Sequence, residues 1–304
     1  MPAISLRDVT KRFGDVRALR GIDMTVESGE VFGFLGPNGA GKSTTIDILL
    51  HYTHPSSGSV DVLGHDVTEA PVAVRKRVGI LPEGFAPFET MTGRQHLAYA
   101  IEATEADADD DPAALLERVG LSDAADRAAA DYSTGMTQRL ALAMALVGEP
   151  DVLILDEPST GLDPHGVRRM REIVRAERDR GATVFFSSHI LAQVEAVADR
   201  VGILRKGDLV AVDTIDGLRE TADAGAELTV DLADDPGAVA PTIASVDGVS
   251  TVEEHDDALV VGCTADAKLR VLDEIRDAGA TIRDFSTGEA SLEELFVSYT
   301  EEAA

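Results

Sequence analysis

The chain has 304 residues, 44% of them hydrophobic, and a formal net charge of −28 at pH 7. That length accommodates one large domain or a domain with a smaller companion, and the negative surface disfavours a nucleic-acid backbone as the primary partner, because like charges repel. No apolar run approaches the ~18 residues of a membrane span, the N-terminus MPAISLRDVTKRFG has no signal-like apolar stretch, and the single Cys263 rules out an intrachain disulfide or a cysteine zinc site.

The expected location is therefore cytoplasmic. The carboxylate excess exceeds what solubility requires and resembles a halophile protein, in which molar salt screens self-repulsion. In chain order, ISLRDVTKRF, RALRGIDMTVE and Glu30–Leu35 read as strands, the last one fully buried. A glycine-rich loop follows, and STTIDILL then starts a helix. Residues 91–150 are rich in alanine and leucine and read as mostly helical. Within them the acidic stretch Glu102 to Asp111 reads as a solvated face or loop.

Asp151–Asp156 reads as a buried strand, and GVRRMREIVRAERDRG as a helix stopped by Gly181. Thr183–Ser188 is a further buried strand, and VGILRKGDLVAV a hairpin turning at Lys206-Gly207. Strands alternating with helices predict a largely parallel α/β sheet.

Composition shifts near residue 217. From 225 to 304 there are 4 Lys and Arg against 19 Asp and Glu. The order strand (ELTVDL), helix (AVAPTIASV), strands (STVEEHD, ALVVGC), helix (AKLRVLDEIRDAG), strand (TIRDFS) predicts a small α+β ferredoxin-like domain. Cys263 falls in ALVVGC and is expected as a small buried hydrophobe. A last helix opens with the capping box Ser291-Leu292-Glu293-Glu294 and carries an apolar stripe Leu292, Leu295, Phe296, Tyr299.

Gly36-Pro37-Asn38-Gly39-Ala40-Gly41-Lys42-Ser43 matches G-x-x-x-x-G-K-[ST] between a strand and a helix. Glycines let backbone N–H groups turn inward around phosphates, and the helix N-terminus adds positive potential. Lys42 is expected to reach the β- and γ-phosphates of ATP and Ser43, beside Thr44, to ligate Mg²⁺. Asp156 ends an apolar strand and is expected to hold the same Mg²⁺; Glu157 is placed to polarise the attacking water. Ser133 is expected to N-cap the helix through QRLALAMAL.

With these motifs the chain resembles the ABC ATPase family over about residues 1–215. Asp156-Glu157-Pro158-Ser159-Thr160-Gly161-Leu162-Asp163 looks like its Walker B and D-loop run. Tyr132-Ser133-Thr134-Gly135-Met136-Thr137-Gln138-Arg139 looks like its signature segment. His189 matches its switch histidine, 33 residues after Asp156, and Phe13 the aromatic that stacks on adenine. The other six histidines show no metal-type spacing.

The resemblance implies a P-loop NTPase (ABC ATPase) core over 1–216 with antiparallel β and helical subdomains, the latter at about 91–150, and an accessory domain over 217–304. It implies a head-to-tail, homodimer-like sandwich of two nucleotide-binding subunits around two ATP. Ser133 and Gly135 then meet the γ-phosphate bound by the other copy, and Asp163 belongs to the shared nucleotide site. His189 then hydrogen-bonds the γ-phosphate and the attacking water.

The form YSxGMxQR, the extra C-terminal domain and the SLEELF helix resemble the branch that powers ABC-2-type exporters. The partner implied is a separate transmembrane permease, which makes this subunit peripheral on the inner membrane face. Glu83 stands where the family carries Gln and is expected to keep its sensing role as a ligand of Mg²⁺ and water. The alternative reading is a soluble ABC ATPase acting on the ribosome or nucleic acid. Such proteins usually carry two cassettes or a long coiled-coil insertion, and this chain has neither.

Overall fold

The computed structural model describes residues 2–104, 110–221, 226–233, 235–255, 257–288 and 296. The chain divides into two compact units, Met1–Val212 and Asp213–Ala304.

The first unit is organised by a six-stranded sheet in the order Asp208–Asp213, Arg200–Arg205, Val31–Leu35, Thr183–Ser188, Val152–Asp156, Val78–Leu81. The last five strands run parallel. Val31–Leu35, Val152–Asp156 and Thr183–Ser188 are buried at every position. Helices cover both faces of such a sheet, so its strands carry unbroken apolar runs instead of alternation. Phe32 and Phe185 stack with ring centroids 5.9 Å apart. Truncating a buried ring of this kind costs about 3–5 kcal/mol.

The edge strand returns through the expected hairpin. Lys206 and Gly207 have φ of 48° and 87°, the left-handed pair that a tight two-residue turn between twisted strands demands.

A four-stranded antiparallel sheet of Val16–Glu27, Pro2–Phe13, Ser57–Val62 and His65–Asp66 packs its apolar face into the same core. The helical arm comprises Gly93–Thr104, Pro112–Arg118 and Thr134–Ala145. The first of these helices opens with a reciprocal cap. Thr92 Oγ1 accepts from the Gln95 N–H and Gln95 Oε1 accepts from the Thr92 N–H.

The acidic stretch is solvated helix face and loop where it is described, at 102–104 and 110–111, and two of its carboxylates also bond backbone; residues 105–109 lie outside the described residues. Asp111 caps the helix Pro112–Arg118 by accepting from the Ala113 N–H at 2.9 Å. Asp110 accepts from the Gly148 N–H at 2.6 Å. These two carboxylates satisfy backbone donors that would otherwise go unpaired, so they are structural and not merely solvated.

The second unit is a sheet in the order Val249–His255, Ala258–Cys263, Ala226–Leu232, Ile282–Gly288, every neighbouring pair antiparallel. Leu228, Val230, Leu259, Val261 and Cys263 line one face and pack with Ile243, Val271 and Ile275 from the intervening helices. The stretch AVAPTIASV is not one helix. A 3-10 turn, Pro236–Ala238, ends on its first residue, and a short helix, Ala240–Ile243, lies inside it. Pro236 and Pro241 each sit in a first turn, where a missing N–H is harmless, and so set two starts. Of the terminal helix only Phe296 is described, as helical; Ser291, Leu292, Leu295 and Tyr299 lie outside the described residues.

Candidate functional site

Strand register brings the chemistry together. Leu35 lies beside Ser188, Asp156 beside Ser187, and Leu81 beside Leu155. The loops that leave these adjacent C-terminal ends carry Gly36–Ser43, His189, Glu157 and Glu83, at the edge where open parallel sheets bind ligands.

A cavity of about 410 Å³ opens there. Its lining includes Pro37, Asn38, Gly39, Gly41, Lys42, Ser43, Thr44, Glu83, Asp156, Glu157 and His189. Gly41 caps the helix Lys42–Leu49 with φ 117° and no side-chain acceptor. A Cβ on Gly41 would approach the Ala18 carbonyl to 2.9 Å and Leu19 Cδ2 to 2.8 Å, so this position admits only glycine. The helix N-terminus thus faces the cavity with its dipole and no competing side chain, which suits an anion.

Lys42 and Glu157 are 7% and 5% exposed. Lys42 Nζ donates to the Gly36 carbonyl at 2.7 Å and lies 3.6 Å from Glu157 Oε1. Glu157 Oε2 accepts from His189 Nδ1 at 2.8 Å. A carboxylate only accepts, so the proton sits on Nδ1 and Nε2 is turned to other duty.

Glu157 has φ 47°, a left-handed backbone that any residue with a Cβ adopts at a cost. Its neighbours hold it there. The Glu157 N–H donates to the Ser187 carbonyl and hydroxyl at 3.2 Å, and its carbonyl accepts from Gln138 Nε2 at 3.3 Å.

Asp156 accepts from the Ser187 hydroxyl. Burial pushes its carboxyl above the ordinary range, and the nearby Glu83 and Glu157 push the same way, while Ser187 and Lys42 oppose them. Three carboxylates around one cavity repel each other, an arrangement that a cation relieves.

Ser43, Asp156 and Glu83 supply only oxygen donors, which suits Mg²⁺. No cluster of three or more His, Cys, Asp or Glu fit to hold a metal occurs among the described residues. That also fits, because Mg²⁺ is held by one or two carboxylates plus phosphate oxygens and not by a protein cage.

Several expected site residues do not line the cavity. Gly36 and Ala40 lie behind the loop, where a Cβ on Gly36 would meet Ala40 Cβ at 3.0 Å. Phe13 is 51% exposed, with Lys11 Nζ 4.7 Å from its ring centroid. Ser133 caps the helix Thr134–Ala145 as expected, accepting from the Met136 N–H at 3.3 Å. Asp163 caps the helix Pro164–Arg180, accepting from the Gly166 N–H at 2.7 Å. A Cβ on Gly135 would come within 2.9 Å of the Gly161 carbonyl, so the two glycines bring the signature segment against the loop after Glu157.

Sequence reasoning missed Ala18 and Thr160, which line the cavity, and Ser187 and Gln138, which hold Asp156 and Glu157. The motif carried no signal for them beyond their neighbours' names.

A glycine-capped phosphate loop at the end of a parallel sheet, facing Asp156 and Glu157, defines a P-loop nucleoside triphosphatase. The sequence matches the ABC transporter family over residues 19–160. It is 35% identical over 305 residues to the daunorubicin/doxorubicin resistance ATP-binding protein DrrA of Streptomyces peucetius, covering 98% of this chain and 92% of that one. It is 36% identical to the bacitracin transport ATP-binding protein BcrA of Bacillus licheniformis, covering 71% of each. A solved structure of an ATP-binding subunit of an ABC transporter superposes with a TM-score of 0.66 at 28% identity, covering 72% of this chain and 92% of that one. A dimeric ATP-binding cassette bound to ADP and Pi gives 0.65 at 21% identity, covering 70% and 98%, and shares the fold.

The chain belongs to the ATP-binding subunits of ABC transporters of the exporter type. It is an ATPase that works with ATP and Mg²⁺. No helix among the described residues is long and apolar enough to cross a membrane.

Proposed function

We propose that two copies of this chain close head to tail around two Mg-ATP, hydrolyse them, and drive a separate membrane permease in export. The observation that carries this reading is the convergence of Lys42, Asp156, Glu157 and His189 on one cavity, with Ser133 and Gly135 outside its lining. A triphosphate held there is gripped from one side. A second copy offering Ser133 and the N–H groups after it completes the charge stabilisation and excludes water.

In this reading Lys42 leaves Glu157 for the β- and γ-phosphates, and Phe13 stacks on the adenine. Ser43, Asp156 and Glu83 would hold Mg²⁺, which would supply positive charge against that of the phosphates. Glu157, freed from Lys42, accepts a proton from the attacking water. His189 uses its Nδ1 proton to fix Glu157 and leaves Nε2 to accept from that water. Asp163 holds the loop that meets the other copy.

DrrA and BcrA are named as resistance and transport ATP-binding proteins, which supports a membrane partner and a place on the inner membrane face. The acidic second unit is read as a ferredoxin-like accessory domain over 217–304. The soluble-factor reading is not favoured, since the charge of −28 opposes nucleic acid.

Glu157→Gln tests the mechanism. It is expected to bind ATP, hydrolyse it very slowly and accumulate as a dimer in size exclusion with ATP and Mg²⁺. Normal turnover would remove Glu157 as the base. Copurification of the tagged chain from membranes with a hydrophobic partner tests the transport role.

A further inference from the structure

The helix Pro164–Arg180 carries Arg171, Arg175 and Arg178 at i, i+4 and i+7, one face of the helix. All three reach the segment just after His189. Arg171 donates to the Ala192 carbonyl at 3.3 Å and Arg175 to the Ala196 carbonyl at 2.7 Å. Arg178 meets Asp199 Oδ1 at 3.3 Å, and the other oxygen of Asp199 accepts from the Val31 N–H at 2.8 Å.

The segment so gripped contains the helix Leu191–Glu195, only five residues long. A helix this short has no stability of its own, so its position is set by what holds it. On one side Val194 fills the space that a side chain on Gly33 would need. On the other stands the arginine rail. His189 is joined to this helix by Ile190 alone, and the Ile190 N–H is tied to the Ser188 hydroxyl at 2.9 Å. The placement of His189 therefore depends on the strand end behind it and the gripped helix ahead.

The rail also holds an unused donor and an unused acceptor. Arg171 Nε and Gln193 Oε1 are both buried and lack a hydrogen-bond partner. Burying such groups unpaired is costly, so the contacts on either side must hold the segment in place.

We propose that Arg171 and Arg175 are positioning residues for ATP hydrolysis, acting through the backbone of residues 192–196 to set His189 against Glu157. Neither arginine lines the cavity, and neither touches substrate. The inference rests on the role given to His189 above.

The test is a double-mutant cycle on the full chain. Arg171→Met with Arg175→Met keeps the aliphatic stems and removes the donors. A fluorescent ATP analogue is expected to bind within about twofold of the unsubstituted chain, while kcat falls about tenfold or more, since small misplacements near a reacting centre are costly. In a His189→Ala background, measured by single turnover, the same pair should lower the rate by less than about twofold, because residues acting as one unit are not additive. Arg171→Lys with Arg175→Lys, which keeps a donor, should recover part of the rate.

A full additional loss in the His189→Ala background overturns the rail, as does an unchanged kcat in the methionine variant. If that variant does not fold by circular dichroism, Arg175→Gln alone is carried through the same cycle under the same criteria. His189→Ala at full rate overturns both the role of His189 and the rail. A slow His189→Ala with additive arginine losses overturns the rail alone.

Discussion

Lys42 and Glu157 form an ion pair across the cavity, Nζ to Oε1 at 3.6 Å, while the second oxygen of Glu157 holds His189. The phosphate-gripping lysine and the carboxylate nearest the attacking water thus occupy each other. In the proposed function a phosphate competes with Glu157 for Lys42, which makes substrate binding and release of the base one event. Lys42→Ala is expected to abolish ATP binding, read with a fluorescent analogue. It also leaves a buried carboxylate without its cation, which destabilises the fold. Its thermal midpoint should fall, and Lys42→Ala with Glu157→Gln should recover part of that fall.

Glu83 lines the cavity with an exposed carboxylate. In the proposed function it is a ligand of Mg²⁺ and water, a role an amide oxygen also fills. Glu83→Gln should keep Mg-ATPase activity within a few-fold. A collapse of activity would mean the negative charge itself is needed.

Asp156 has the opposite pH signature to a salt-bridged carboxylate. Its folded value lies above the ordinary 3.8, first through burial and then through Glu83 and Glu157. The native state therefore binds the proton more tightly than the unfolded chain. Stability from this group rises as pH falls through the raised value and is lost as pH climbs above it. In EDTA near neutral pH, Asp156→Asn should melt at a higher temperature than the unsubstituted chain, and the gap should close on acidification toward the ordinary carboxylate range. A constant gap across that window would contradict the raised value.

The charge of −28 is expected to make stability salt-dependent. Self-repulsion over distances beyond about 10 Å is screened at ~0.1 M salt and shorter distances need more. Unfolding followed against KCl should show a midpoint that climbs into the molar range. Full stability at low salt would end the comparison with halophile proteins.

What could be read from sequence was what side-chain chemistry dictates locally. The phosphate loop needs glycine at Gly41 because no Cβ fits, and Asp156 and Glu157 announce themselves at the end of an apolar run. Ser187 gave no signal, since a serine ending a buried strand looks like any other until register sets it beside Asp156. Arg171 and Arg175 gave no signal of their grip, because their acceptors are backbone carbonyls 21 residues away. Asp110 likewise read as surface charge, its partner being the N–H of Gly148. AVAPTIASV had helical apolar spacing, but only Ala240–Ile243 within it is helical, with Pro241 in the first turn.

The left-handed backbone at Glu157 gives this position a direction of drift. Glycine takes that conformation freely and asparagine nearly so, whereas glutamate holds it under strain. Substitution there relieves the backbone but leaves buried Lys42 without its counter-charge. Position 157 thus keeps glutamate against the preference of its own backbone, for the sake of what the carboxylate meets in the cavity.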